Sequence, residues 1–233
     1  MGCDGSLALP HLDRLGVPAS WRKGSGDWAG VEQAIAQQLP VQVIQEAGSM
    51  LWQANLPQEH SLFFEELPHP PKARIWISPI QRRFAPVSDF AKVQWHPPVL
   101  WVGLGWEKGT PRSTMERAIQ EVCRAHHLAE AAIAGIATLE SKASDLALLT
   151  LCDDRHWLLR YFAAEVLSTV PVPNPSTVVS REVGTPSVAE AAAILADIEH
   201  LAFLRVPKRV VRFPNQLGAV TIAIAQSHRE STV

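Results

Sequence analysis

The chain has 233 residues, of which 47% are hydrophobic, with a formal net charge of -2 and an isoelectric point near 6.5. That apolar content excludes a disordered chain, and the near-neutral charge argues against nucleic acid or an acidic membrane surface as a partner. The three cysteines Cys3, Cys123 and Cys152 have neither metal-ligand spacing nor a disulfide pattern, which points to a reducing cytoplasm and no protein-held metal. No apolar run reaches the length of a membrane span, and the N-terminus lacks a secretory signal.

Residues 1–22 carry Gly and Pro with little periodicity and read as the tail end of something else. Residues 23–96 read as a small α/β unit. Its helix is expected from Asp27 to Gln38, where Val31, Ala34, Ile35 and Leu39 fall near helical spacing until Pro40 stops it. Strands are expected at Val41-Gln-Val-Ile-Gln45 and at Ala73-Arg-Ile-Trp-Ile-Ser78, both of which alternate. The prolines of Trp95-His-Pro-Pro98 mark a boundary, and a second unit follows over 97–233.

The second unit alternates strand and helix. Val99-Leu-Trp-Val-Gly103 is a continuous apolar strand, as expected when both faces are buried. A helix follows from about Thr110 to His126, with Met115, Ile119, Val122 and Cys123 on one face. Next come a strand at Ala131–Thr138, a short helix at Lys142–Cys152 with Leu146 and Leu149 inward, and a strand from Trp157 to Tyr161. One or two helical turns at Ala163–Leu167 lead to a proline-rich loop, then an alanine-rich helix. Strands near Ala202–Val206 and Ala219–Ala225 close the chain, and the basic stretch Arg205–Arg212 is assigned to a strand edge. The fold class implied is α/β: a three-layer, mainly parallel sheet with helices on both faces, preceded by the small α/β unit. In such sheets ligands bind beyond the carboxyl ends of the strands.

The tripeptide Gly-Thr-Pro occurs at Gly109–Pro111 and again at Gly184–Pro186, each time before a helix. Thr can cap a helix and Pro suits its first position. Each copy also holds a Ser-x-x-Glu capping box, Ser113 with Glu116 and Ser187 with Glu190, so either Thr or Ser could be the cap. Both choices leave free N–H groups at a glycine turn, a setting suited to an anion. Gly103, Gly105 and Gly109 also fit the simpler role of turning a strand tightly into a helix. His126-His127 at a helix end complements the dipole, and Trp95, Trp101 and Trp106 around the first strand read as core or contact residues.

Taken in order, Gly103-Leu-Gly-Trp-Glu-Lys-Gly-Thr110, Lys142-Ala, Val172-Pro-Asn-Pro-Ser176, Val183-Gly-Thr-Pro-Ser-Val-Ala-Glu-Ala191 and Val220-Thr-Ile-Ala-Ile-Ala225 resemble the C-terminal domain of the CbiG family of cobalamin-biosynthesis proteins, a module that also stands alone as CobE. The resemblance covers roughly Val99 to Gln226, and Gly24 to Ser78 looks like the family's middle region. It implies a cobalt-precorrin-5A hydrolase, which opens a ring-A lactone and releases acetaldehyde. The cobalt is carried by the substrate, so no cofactor is implied. Other cobalamin-pathway enzymes, such as a corrin methyltransferase, are implied as partners. The family's N-terminal domain is not matched, and residues 1–22 resemble only its end. Trp106 stands where the family commonly has cysteine, which argues against an essential thiol there.

A precorrin is fringed with carboxylates, so helix N-termini, glycine turns and cations are the groups to hold it. The substrate-binding candidates are Gly103, Gly105, Lys108, Gly109, Thr110, Lys142, Asn174, Ser176, Gly184, Thr185 and Ser187. Lactone hydrolysis needs a base and a donor for the developing oxyanion. Glu107, Glu140 and Lys142 are candidates for catalysis, with Glu190 a further carboxylate and the Gly109–Ser113 amides as donors. Glu116 and Glu190 also read as caps, and Asn174 as a turn former. Two other readings stand beside the hydrolase. One is a non-catalytic module that binds or hands over a corrinoid. The other is a nucleotide-binding domain, prompted by Gly103-Leu-Gly105, with no acidic ribose partner after the second strand.

Overall fold

The computed structural model describes residues 16–56, 70–85, 90–174, 187–199 and 201–230. The chain divides into two compact units, Met1–Pro98 and Val99–Val233. The second Gly-Thr-Pro and the candidates Ser176, Gly184 and Thr185 lie outside the described residues.

The first unit has strands β1 (Arg22–Gly26), β2 (Val41–Gln45), β3 (Ala73–Ile77) and β4 (Ala91–His96), and helix α1 (Trp28–Ala36). The sheet order is β1-β4-β3-β2, with β2, β3 and β4 parallel and β1 antiparallel to β4. Alternation in β2 and β3 puts Val41, Val43, Ala73, Ile75 and Ile77 on one face, where Val31, Ala34 and Ile35 of α1 join the same core. Asp27 starts α1, its carboxylate accepting from the Gly30 N–H at 2.9 Å. Sequence reading missed β1 and β4. Neither has a clean apolar alternation: β1 is Arg-Lys-Gly-Ser-Gly, and β4 buries Gln94 and His96 along with Val93 and Trp95.

The second unit has β5 (Leu100–Trp106), α2 (Arg112–Ala125), β6 (Ile133–Leu139), α3 (Leu146–Arg155), β7 (Leu158–Phe162), α4 (Ala164–Ser168), α5 (Val188–Leu195), β8 (Phe203–Val211) and β9 (Val220–Gln226). The sheet order is β7-β6-β5-β9-β8. β5, β6 and β7 are parallel, while β9 runs against both its neighbours, so β8 points the same way as β5. α4 and α5 pack on the face carrying Trp101. The opposite face, with Leu100, Val102 and Leu104, is covered by α2, whose Met115, Ala118, Ile119, Val122 and Cys123 are buried. β8 is an edge strand, which accounts for the basic stretch it carries.

Three local expectations are corrected. Neither Ser-x-x-Glu segment forms a capping box. Pro111 occupies the cap position of α2 and Ser187 that of α5, and neither makes a side-chain cap bond. Glu116 instead pairs with Arg155 of α3, accepting from its Nε at 2.9 Å, because an ionic partner outcompetes a local amide. The third helix starts at Leu146, not Lys142, because the Asp145 carboxylate accepts from the Ala147 N–H at 2.9 Å and caps it there. The inward face is therefore Leu148, Leu151 and Cys152, while Leu146 and Leu149 are exposed. Burial pushes the Cys123 thiol up to about 12, with Glu130 adding to it, and Cys152 to about 11, so both stay protonated.

His96, 1% exposed, ends β4. Its Nδ1–H donates to the Ser78 carbonyl at 2.8 Å, which leaves Nε2 as an acceptor without a partner among the described residues. A Cβ added to Gly24 would lie 2.4 Å from that nitrogen, so β1 closes over the ring. Burial holds the His96 pKa below the ordinary 6.5. The bond to Ser78 opposes that shift and Arg82 reinforces it. The unfolded chain therefore takes up the proton first. The stability contributed by the neutral ring is complete above about pH 6.5 and is lost as pH falls through the lower folded-state value. Denaturant midpoints should fall as pH drops from about 7.5 to about 5, and His96→Gln should flatten that fall; an identical slope in the variant would remove His96 as its source.

Candidate functional site

The carboxyl end of β5 turns into α2 through Glu107–Pro111. Gly109 has φ +81°, which only glycine adopts readily, and it permits the turn. The Thr110 hydroxyl donates to the Glu107 carbonyl at 2.7 Å, tightening the turn rather than facing a ligand. Gly103 is occupied differently. A Cβ there would lie 1.8 Å from the Ala189 carbonyl oxygen, so this glycine lets α5 lie directly on β5. The alanine-rich helix suits that approach, with Ala189, Ala191, Ala192 and Ala193 all buried.

This packing brings the start of α5 to the carboxyl ends of β5 and β6, where a cleft of about 440 Å³ opens. One wall is Gly105, Trp106, Glu107 and Lys108 after β5. Thr138, Leu139 and Lys142 form the second, and Ser187, Val188 and Ala189 the third. Lys208 and Val210 of β8 and Arg212 just past its end, with Ala219 and Thr221, complete it. Of the sequence candidates, Gly105, Lys108, Lys142, Ser187 and Glu107 therefore converge. Gly103, Gly109, Thr110, Asn174 and Glu140 do not line the cleft. The Gly109–Ser113 amides also fall away as oxyanion donors, because they lead into α2 on the other face of the sheet.

Lys208 and Arg212 were not named as binders by sequence reasoning. The available signal was their spacing with Val210, every second residue of a strand, which puts all three on one face. An irregularity in the β8–β9 register between Val206 and Arg209 hid that phase from a reading of the strand as a whole.

The charges in the cleft are unevenly partnered. Glu107, its only carboxylate among the described residues, accepts from Arg212, and its Oε2 also accepts from the Ala219 N–H at 3.1 Å. Lys108, Lys142 and Lys208 have no carboxylate partner among the described residues. Lys142 is aimed by Trp106: its Nζ donates to the Trp106 carbonyl at 3.2 Å and lies 5.2 Å from the centre of the indole. The indole N–H donates to Asp145 at 3.0 Å, so the residue that caps α3 also holds Trp106. The Lys208 Nζ donates to the Asn174 carbonyl at 2.7 Å.

Glu190 is fully buried in the first turn of α5. Its carboxylate accepts from the Asn174 N–H at 3.2 Å, the Asn174 side-chain amide at 2.8 Å and the Lys208 N–H at 2.9 Å. This is a tether between helix, loop and edge strand, which displaces both the cap and the base expected of it. Asn174 and Glu190 position Lys208 without touching the cleft.

Taken together, the fold and cleft define an α/β protein with a cationic recess at the strand ends. Family models match it twice, as the cobalamin synthesis G C-terminus over residues 100–225 and as the cobalamin biosynthesis central region over residues 10–97. The chain belongs to the CbiG family of cobalamin-biosynthesis proteins. It is similar to a cobalt-precorrin-5A hydrolase from Priestia megaterium, 26% identical over 103 residues, a stretch covering 44% of this chain and 28% of that protein. Two solved structures are also similar. CobE, from the cobalamin (vitamin B12) biosynthetic pathway, is 25% identical with a TM-score of 0.49, over 56% of this chain and 92% of CobE. The cobalamin biosynthesis protein chiG from Agrobacterium tumefaciens is 28% identical with a TM-score of 0.41, over 55% of this chain and 98% of that one. No helix among the described residues is long and apolar enough to cross a membrane, and no group of acidic, His or Cys residues among them could hold a metal ion.

The tether has a measurable consequence. Glu190→Ala should lower unfolding stability by roughly 1–3 kcal/mol, since it removes the buried acceptor that three part-buried donors share. Glu190→Gln, which keeps an acceptor oxygen, should lose less. Equal losses in denaturant titrations of the two variants would contradict the tether.

Proposed function

We propose that this chain acts in cobalamin biosynthesis by holding a cobalt-containing corrin precursor in the cleft of its second unit, as part of a cobalt-precorrin-5A hydrolase. Three lysines without acidic partners among the described residues, converging with the start of α5 on one recess, carry this reading. A corrin precursor is an apolar macrocycle fringed with acidic side chains. Lys108, Lys142 and Lys208 supply charge for such a fringe, and Val188, Ala189 and Val210 supply apolar surface. Cobalt enters with the substrate, so the protein need not ligate it.

Opening the lactone requires water at the acyl carbon, a base for its proton and a donor for the oxyanion. Glu107 lies on the cleft, but its carboxylate is engaged by Arg212 and the Ala219 N–H. That engagement favours a hydrolase whose base comes from another chain or segment, and it supports a second reading, a non-catalytic module that binds or hands over the corrinoid.

Incubating the purified protein with cobalt-precorrin-5A and measuring acetaldehyde separates the two. Release by the chain alone is the result expected of a self-sufficient hydrolase. Release only after adding the N-terminal region of a CbiG protein assigns the base to that region. Tight binding without release in either mixture supports hand-over, and absence of binding overturns both. Lys142→Ala should weaken binding about tenfold, the size of one lost charge-assisted contact; unchanged affinity in an absorbance titration would remove Lys142 from the site.

A further inference from the structure

Ser187 is 1% exposed and lines the cleft. Its Oγ is buried without a hydrogen-bond partner among the described residues. A serine at a helix start ordinarily uses its hydroxyl to accept from an N–H of the first turn. Here that bond is absent, although Ser187 holds the cap position of the eight-residue helix α5. The Ser187 carbonyl does accept from the Ala191 N–H at 3.2 Å, so the helix itself is regular. The hydroxyl is therefore a donor left over, and the N–H groups of Val188 and Ala189 have no carbonyl within the helix to bond. An unmatched buried hydroxyl is destabilising, and a ligand that accepts from it removes that cost.

We infer that Ser187 and the first turn of α5 form a receptor for one carboxylate of the ligand, with Ser187 as a specificity-determining residue that separates acid from amide side chains. The inference rests on the preceding reading that a corrin occupies the cleft. A carboxylate takes the Ser187 O–H and the first-turn N–H groups as donors, at the positive end of the helix dipole. A side-chain amide offers one neutral oxygen and brings two N–H donors toward a wall already rich in donors, and Lys142 and Lys208 repel nothing acidic there. Glu190 lies in the same turn, but its oxygens already accept from Asn174 and the Lys208 N–H. It is held away from the receptor and is not a lining residue.

The test compares two corrins by titration: cobyrinic acid, whose side chains are carboxylates, and cobinamide, whose side chains are mostly amides. The wild-type protein should prefer cobyrinic acid. Ser187→Ala should weaken cobyrinic acid about tenfold, leave cobinamide unchanged, and keep or raise the melting temperature of the free protein. Ser187→Thr, which retains the hydroxyl, should keep the preference. A Ser187→Ala protein that discriminates as well as wild type overturns the receptor. If neither corrin binds wild type, the corrin reading itself fails. The receptor is then judged with citrate, which must raise the melting temperature of wild type and not of Ser187→Ala; the same response in both, or none in either, overturns it.

Discussion

The second unit depends on one steric allowance, the contact of α5 with β5 at Gly103. The Ala189 carbonyl occupies the space a side chain would need. With any larger residue there, the helix must lift from the sheet, and its first turn moves away from the strand ends. Small residues on both surfaces let the backbone itself form the cleft wall, where amide groups can act. A glycine that suggested anion or nucleotide chemistry in sequence thus works by packing, one layer behind the cleft surface.

Charge is arranged in two tiers around that contact. The inner tier is the buried Glu190 carboxylate, satisfied by three N–H donors, which joins helix, loop and edge strand. Removing a partner inside such a network costs more than its presence contributes, so the network fixes geometry more than it adds stability. The outer tier is three lysines, of which Lys142 is held by a neutral carbonyl and a ring face and Lys208 by a neutral carbonyl, with no carboxylate partner among the described residues. A surface that leaves like charges together pays in self-repulsion, which an anionic ligand relieves. The Glu107–Arg212 pair at the rim is exposed and contributes little to stability.

Trp106 links the end of β5 to the start of α3 and to Lys142. Its indole is tied to Asp145, and its carbonyl and ring hold Lys142. The position that in related chains is expected to offer a thiol here supports an ammonium group.

Sequence by itself determined the α/β class, the apolar strands from Leu100 and Val220, the inward face of α2 and the family. Each of these rests on period-2 or period-3.6 patterns or on an ordered set of motifs, all local along the chain. It also marked Lys108, Lys142 and Ser187, which do meet in one recess. Only the tertiary structure decided that β9 runs against its neighbours, that Glu116 and Glu190 serve as ties rather than caps, and that Lys208 and Arg212 join the lysines from β5 and β6. The physical reason common to all three is that the partners lie far apart in sequence: strand direction, the guanidinium that meets Glu116 and the N–H groups that meet Glu190 are brought near only by the folded chain.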